Sequence, residues 1–410
     1  MNFIIRLAAV TVVMTYPSLF AASNSCSDSN NSIELIRCAL SQDLELVTAQ
    51  KNVKILQLNE AVAGQGINPE LDAEYSRSED EGLSQSSGSL TYLHTIQLGG
   101  KVAAKQALAQ QEALLGNLKW EQGREDRAHA YRLKMYQILS RQEELDALKE
   151  TIDSYGKVVN AYKLRKALSP QTRMSAQIFT MAMRSGRVRL GQKQAEMEQL
   201  IGDFEVLGIP RKLLMRSLPS AWPKWKGLRQ GNGTSVLNRI YESDVKVAST
   251  ALSLAKSQAY ENLKIGPSVS WQQSGENTQT GFGFAVSMNL PLSHRNQAGI
   301  AKARAELAAK SDFQKLASTV LERQLKLASR QYATLKSQLR QLPSDSELEK
   351  SHAALERDVR RGVIEASLII EGHEQLLTMI ESRNILRESL LQQQSKIYTL
   401  KNLSWEGALR

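Results

Sequence analysis

The chain has 410 residues with a formal net charge of +10, 9 Pro, 24 Gly, 2 Cys and 6% aromatic residues. Two Cys exclude a disulfide framework and a Cys-rich metal domain, and without an internal run of 18 apolar residues an inner-membrane helical bundle is excluded. Lys and Arg alternate with Glu along helical stretches, the pattern of solvated helix faces, so no nucleic-acid partner is expected.

The first residues read as an export signal over 1–23. Arg6 closes a short positive region, Leu7 to Met14 is apolar, and small residues follow around Ala21, Ala22 and Ser23. Removing it takes away Arg6 only. Cys26 then lies close to a new N-terminus. Two readings stay open for it: a lipid anchor, or a local disulfide with Cys38, since an exported chain meets an oxidising compartment.

Residues 31 to 66 carry apolar residues at three- and four-residue spacing and predict one helix, broken at Asn68-Pro69. Glu70–Arg77 and Leu90–Leu98 alternate as strands around a polar loop, Ser78–Gly88. From Gly100 to about Arg165 runs a Pro-free stretch of good helix formers. Unbroken, it would be ~100 Å long, beyond any ordinary globular element. Lys166–Pro170 is a turn, in which Ser169 and Pro170 suit an N-cap and first helical position. A helix then runs to about Phe204.

Residues 208–233 form a connecting segment with Pro210, Pro219, Pro223, Trp222 and Trp225. The order then recurs: helix from Ser235 to Leu263, strands Lys264–Gln272 and Gly281–Leu292, a helical run from Asn296 to Arg361, a turn at Arg361-Gly362, and a helix from Val363 to about Tyr398. Pro69 and Pro267 are 198 residues apart, and Lys166 and Gly362 are 196 apart. This register predicts an internal two-fold repeat, 24–207 and 234–400, with a tail at 401–410. In Gly281–Leu292, Phe282, Phe284, Val286, Met288, Leu290 and Leu292 share one face, opposite small and polar residues. That is the pattern and length of a membrane β-strand. Four strands cannot close a barrel of ordinary size. Open edges in lipid would leave backbone groups unpaired, so several copies must share one barrel.

No catalytic, metal or cofactor constellation is found. His373-Glu374 begins like a zinc-protease helix, but Leu377 stands at the second His position; Gly99-Gly100-Lys101 lacks the rest of a phosphate loop. An exported enzyme therefore has no motif behind it.

The doubled order, with Asn68-Pro69-Glu70-Leu71, Gly99-Gly100-Lys101 and His294-Arg295-Asn296-Gln297 at the strand and helix boundaries, resembles the outer-membrane efflux (TolC-type) channel proteins over roughly residues 33 to 400. The GGK and HRNQ segments look most like the heavy-metal (CzcC-like) branch. The resemblance implies a mainly α fold with membrane β, in which long α-hairpins form a periplasmic helical barrel. Four strands per chain would enter a shared twelve-stranded barrel of a homotrimer. It further implies a passive conduit for small solutes or metal cations. The partners would be a periplasmic adaptor, an inner-membrane pump and outer-membrane lipid. Carried over, the adaptor-contact tips are Lys166, Ala167, Leu168, Ser169 and Pro170, and Arg361, Gly362, Val363 and Ile364. Glu371 would stand at the gate, three copies forming an acidic ring. Leu368 stands where some relatives have another acid. The alternative from the residues is a periplasmic adaptor or other soluble coiled-coil protein.

Overall fold

The computed structural model describes residues 26, 31–80, 83–164, 169–225, 235–275, 277–361 and 366–408. The proposed export signal, and Lys166, Ala167, Leu168, Gly362, Val363 and Ile364, lie outside the described residues.

The first helical stretch is two helices, α1 (Ser32–Gln42) and α2 (Leu44–Ala63). The expected single helix is interrupted at Asp43, whose backbone is extended and whose Oδ1 accepts from the amides of Glu45 and Leu46. An N-cap carboxylate satisfies donors that an uninterrupted helix would bond internally. Tyr131 donates to its other oxygen at 2.6 Å, which keeps Asp43 paired although only 4% exposed.

Strands β1 (Glu70–Asp80) and β2 (Leu83–Ile96) follow, so most of the expected Ser78–Gly88 loop is paired strand. Near this end both faces are polar, which hides the alternation. Then comes α3 (Lys101–Lys163), a single helix of 63 residues and ~95 Å. It starts from Gly99 and Gly100, both left-handed (φ 73° and 70°), a conformation open to glycine at little cost. α4 (Pro170–Glu205) and the short α5 (Arg211–Ser217) complete the first half. The connecting segment is therefore partly helical.

In the second half α6 (Val236–Ser257) leads to β3 (Leu263–Ser274) and β4 (Asn277–Met288). β4 stops short of the expected Leu292, where Pro291 supplies no ladder donor. α7 (Gln297–Gln341) starts from Asn296, again left-handed (φ 55°), with its side-chain amide donating to Ala255 O at 2.8 Å. The expected continuous run to Arg361 is broken. Leu342 is extended ahead of Pro343, and α8 (Asp345–Arg361) begins from a reciprocal Ser344–Glu347 cap. α9 (Ala366–Leu400) and a 3-10 turn, Trp405–Ala408, end the described chain.

The strands form one antiparallel sheet in the order β1-β2-β3-β4. Each continues into a helix, and below the sheet α2, α3, α6 and α7 lie side by side in the same order. Midway along, α1, α5 and the C-terminal turn wrap α3 and α4. Leu35, Ile36, Met135, Ile138, Ile201, Phe204, Leu214 and Trp405 form the main core there. The tail is docked by Trp405, 1% exposed, and by Arg37 with Glu406 at 2.7 Å. Cys26 and Cys38 are disulfide-bonded, with Cα atoms 5.9 Å apart, and Cys26 packs on this core. Of the two readings for Cys26, the structure holds the disulfide; its sulfur is engaged.

Candidate functional site

Register sorts the sheet into two chemically opposite faces. Leu263 pairs with Ile96 and Met288, Ile265 with His94 and Val286, Val269 with Leu90 and Phe282, and Trp271 with Gly88 and Thr280. Leu71 pairs with Tyr92, and Tyr75 with Gly88. Paired residues share a face. Between the Leu263 and Trp271 rows this face is therefore apolar except for His94 and Thr280. The other carries Asp72, Thr91, Ser268 and Gly283 in one row, and Glu74, Ser89, Ser270 and Gly281 in the next.

The apolar face is not a core. Phe282 is 86% exposed, Phe284 67%, Leu71 and Tyr75 68% each, and the sheet packs extensively on no helix. The sheet is therefore not a pair of hairpins buried on an interior of the described residues. The band runs from Leu263 to Trp271, about 26 Å at ~3.3 Å per residue, and ends at Tyr75 and Trp271. Beyond them stand Arg77, Glu79, Ser86, Gln273 and Thr278. Trp271 lies flat on Gly88, where any Cβ would strike its ring. Among the described residues β1 and β4 have no strand on their outer sides, which leaves two rows of ladder groups unpaired there.

At the other end of the helices, Ser169 caps α4, its Oγ accepting from the Thr172 amide at 3.2 Å, and Pro170 is the first helical residue. Arg361 ends α8. Glu371 is exposed on the first turns of α9 and accepts from Gln375 at 2.8 Å. Sequence reading pointed to these positions but missed two buried features of the shaft. One is a charge network. Glu144 on α3, 2% exposed, receives Lys193 (2.9 Å) from α4 and Arg141 (2.7 Å). Arg189 on α4 joins Glu374 (3.1 Å) and Glu381 (2.7 Å) on α9. Burial opposes ionisation of Glu144, but Lys193 and Arg141 outweigh it and hold the carboxyl below its usual range. The other is His129, 6% exposed, with neither ring nitrogen hydrogen-bonded. Burial, then Arg132, lowers its pKa to about 4. No helix among the described residues is long and apolar enough to cross a membrane, and they hold no group of three His, Cys, Asp or Glu able to take a metal.

The whole chain is similar to solved channels. The Campylobacter jejuni CmeC outer membrane channel superimposes with a TM-score of 0.72 at 11% identity, over 98% of this chain and 94% of that one. The chain has an outer-membrane-channel fold. The Neisseria gonorrhoeae MtrE outer membrane channel in its open state gives 0.70 at 14% identity, over 90% and 88%. The outer membrane protein VceC of Vibrio cholerae gives 0.69 at 14%, over 91% and 96%. No family model matches the sequence, and no curated protein matches it.

Proposed function

We propose that the chain is one subunit of a trimeric outer-membrane efflux channel with a periplasmic helical extension. The observation that carries this reading is the two-faced sheet with both edges open. Its apolar face needs a non-aqueous solvent, and its edges need partners that the described residues do not supply. Pairing β1 of one copy with β4 of the next closes a barrel; three copies give twelve strands. The likeness to CmeC, MtrE and VceC, each described as an outer membrane channel or protein, supports it.

The helices support the same closure. The layer's edge helices present exposed apolar stripes, Ile55, Leu58 and Val62 on α2 and Phe313, Leu316 and Val320 on α7. Charges complement too. Besides Arg189 and Lys193, which pair within the chain, α4 carries Arg173, Arg184 and Arg187 before its first acid, Glu196, while α8 carries Glu347 and Glu349 near its start. Lys193 and His352 contact α3 at Glu144 and Glu150, so the two stretches lie at similar heights on the shaft. The order α2-β1-β2-α3-α4 followed by α6-β3-β4-α7-α8-α9 supports an internal duplication.

The conduit does no chemistry; the inner-membrane pump supplies energy. The turns at 166–170 and 361–364 are the proposed adaptor contacts, and Glu371 the proposed gate acid. Cargo is small solutes or metal cations, the latter resting on the CzcC-like resemblance of the sequence. A soluble adaptor would leave the apolar sheet face in water. The test is purification in detergent: a heat-modifiable, β-containing trimer that conducts in planar bilayers is expected. A soluble monomer overturns the reading.

A further inference from the structure

The exposed apolar surface does not stop where the strands do. Beyond the Leu263 row, on the helical side, Leu98 is 36% exposed, Tyr260 59%, Leu290 66% and Leu292 87%. Tyr260 lies over Gly99, where any Cβ would strike its ring. Bases follow at once. Lys101 and Lys105 open α3, Lys256 closes α6, Arg295 stands in the link to α7, and Lys302 and Arg304 lie on the first turns of α7. Residues 96–111 and 289–305 contain no acid; the nearby acids are Glu60, which accepts from Gln110, Glu261, and Glu70, which Lys264 holds at 2.7 Å. Lys101 and Lys105 donate to neutral acceptors, Asn262 at 2.7 Å and Gln97 at 3.4 Å. Lys302 is 3.8 Å from Glu306, whereas Lys256, Arg295 and Arg304 join no ion pair among the described residues. The far rim of the band differs: Arg77 stands beside Glu79 at 3.5 Å, among neutral Ser86, Gln273 and Thr278. Positive charge is in surplus at the helical rim and compensated at the other.

We propose that the helical rim is a collar for anionic phospholipid headgroups, phosphate diesters of net negative charge, in the membrane leaflet nearest the helices. The inference deepens the channel reading and rests on it. A lipid presents acyl chain and then phosphate in direct succession, and the rim offers the matching order. Leu290 and Leu292 lead to Arg295; Leu98 leads to Lys101 and Lys105. Lys101 and Arg295 belong to the two boundary segments of the sequence, Gly99-Gly100-Lys101 and His294-Arg295-Asn296-Gln297, so the same junction recurs in both halves. The long stems of Lys and Arg lie along apolar surface while their charged ends reach the headgroup layer. Tyr260 suits that layer, with an apolar ring and a polar tip. Surplus bases beside a membrane surface attract anionic lipid. A zwitterionic headgroup carries its own cation, which the surplus repels. A dissolved anion would have no use for the apolar approach. Three copies repeat the surplus around the barrel.

The experiment places the full, disulfide-intact chain in phosphatidylcholine vesicles that carry nitroxide-labelled phosphatidylglycerol or nitroxide-labelled phosphatidylcholine. Electron spin resonance reads the fraction of each label held by the protein, and pore conductance and ion selectivity are recorded in parallel. The wild type is expected to hold phosphatidylglycerol about fivefold over phosphatidylcholine, the preference that one well-placed base gives. Raising the salt tenfold should weaken that preference, since these charges are exposed. A quadruple variant, Lys101→Gln, Lys105→Gln, Arg295→Gln and Arg304→Gln, is expected to abolish it, while Arg77→Gln at the far rim keeps it. Should the quadruple variant not insert, Arg295→Gln alone decides, with an expected loss of about half the preference. Equal holding of both lipids by an inserted, conducting wild type overturns the collar and leaves the channel reading standing. So does a quadruple variant that alters ion selectivity yet keeps the lipid preference, which would put the bases in the lumen. A chain that enters neither kind of vesicle overturns the collar and the channel reading together.

Discussion

Phe284 occupies the middle row of the apolar band, opposite Pro267, and is 67% exposed. In the proposed barrel its ring lies at the bilayer midplane. Phe284→Lys would place an ammonium there, at a cost of about 2–4 kcal/mol per chain for a lipid-facing site at that depth. Three copies suffer together, so a closed ring loses roughly 6–12 kcal/mol. The control is Ser268→Lys, at nearly the same height on the opposite face. Ser268 pairs with Thr91 and Gly283 in a polar row, so its ammonium would project into water. That change should stay within about 1 kcal/mol. The assay is the urea dependence of folding into thin-bilayer vesicles, read by heat-modifiable gel mobility. At ~1.4 kcal/mol per decade, Phe284→Lys lowers the folding equilibrium per chain about 30-fold or more. Equal effects of the two lysines, or no effect of either, would refute the assignment of faces and with it the barrel.

His129 is buried in its neutral form with a pKa near 4, below that of an unfolded histidine, so the unfolded chain binds more protons between those values. Stability therefore falls as pH drops from about 6.5 to about 4, by up to ~3 kcal/mol, and His129→Leu should flatten that part of a melting-temperature profile. Glu144→Gln leaves Lys193 and Arg141 around a neutral amide. We expect a loss of about 3 kcal/mol, measured by thermal unfolding of the helical signal, with Glu198→Gln on the solvent-screened Arg211 pair as the control that leaves the melting temperature nearly unchanged. Reducing the Cys26–Cys38 bridge, which spans 12 residues, should cost about 2–3 kcal/mol locally and free two thiols to alkylation; a thiol already reactive without reductant contradicts the pairing. Glu371→Gln should lower single-channel cation preference, and unchanged selectivity removes Glu371 from the gate.

Much of this architecture is written in local signals. Phe282 to Met288 alternate so strictly that one face could only be apolar, and the 63 residues of α3 contain no proline. Gly99 and Gly100 announce the left-handed entry to α3. Asn296 does the same for α7 and was matched only as part of a motif. What escaped depends on pairing over distance. Asp43 reads as one more helical polar residue until Tyr131, 88 positions on, is beside it. The serine-rich ends of β1 and β2 look like loop, because no face alternates there. The Glu144 network joins residues from separate helices, and no spacing within one helix encodes it. Pro343 was visible, but the cap built by Ser344 and Glu347 turns a kink into a full stop between two helices.

That stop makes the two halves mechanically unequal. The first hairpin hangs from one uninterrupted rod, whereas the second carries an elbow between α7 and α8 where no helical hydrogen bonding crosses Pro343. Bending stiffness is lowest at that elbow, so a force applied at the far end swings the forearm, α8, while α3 stands as the post against which it moves.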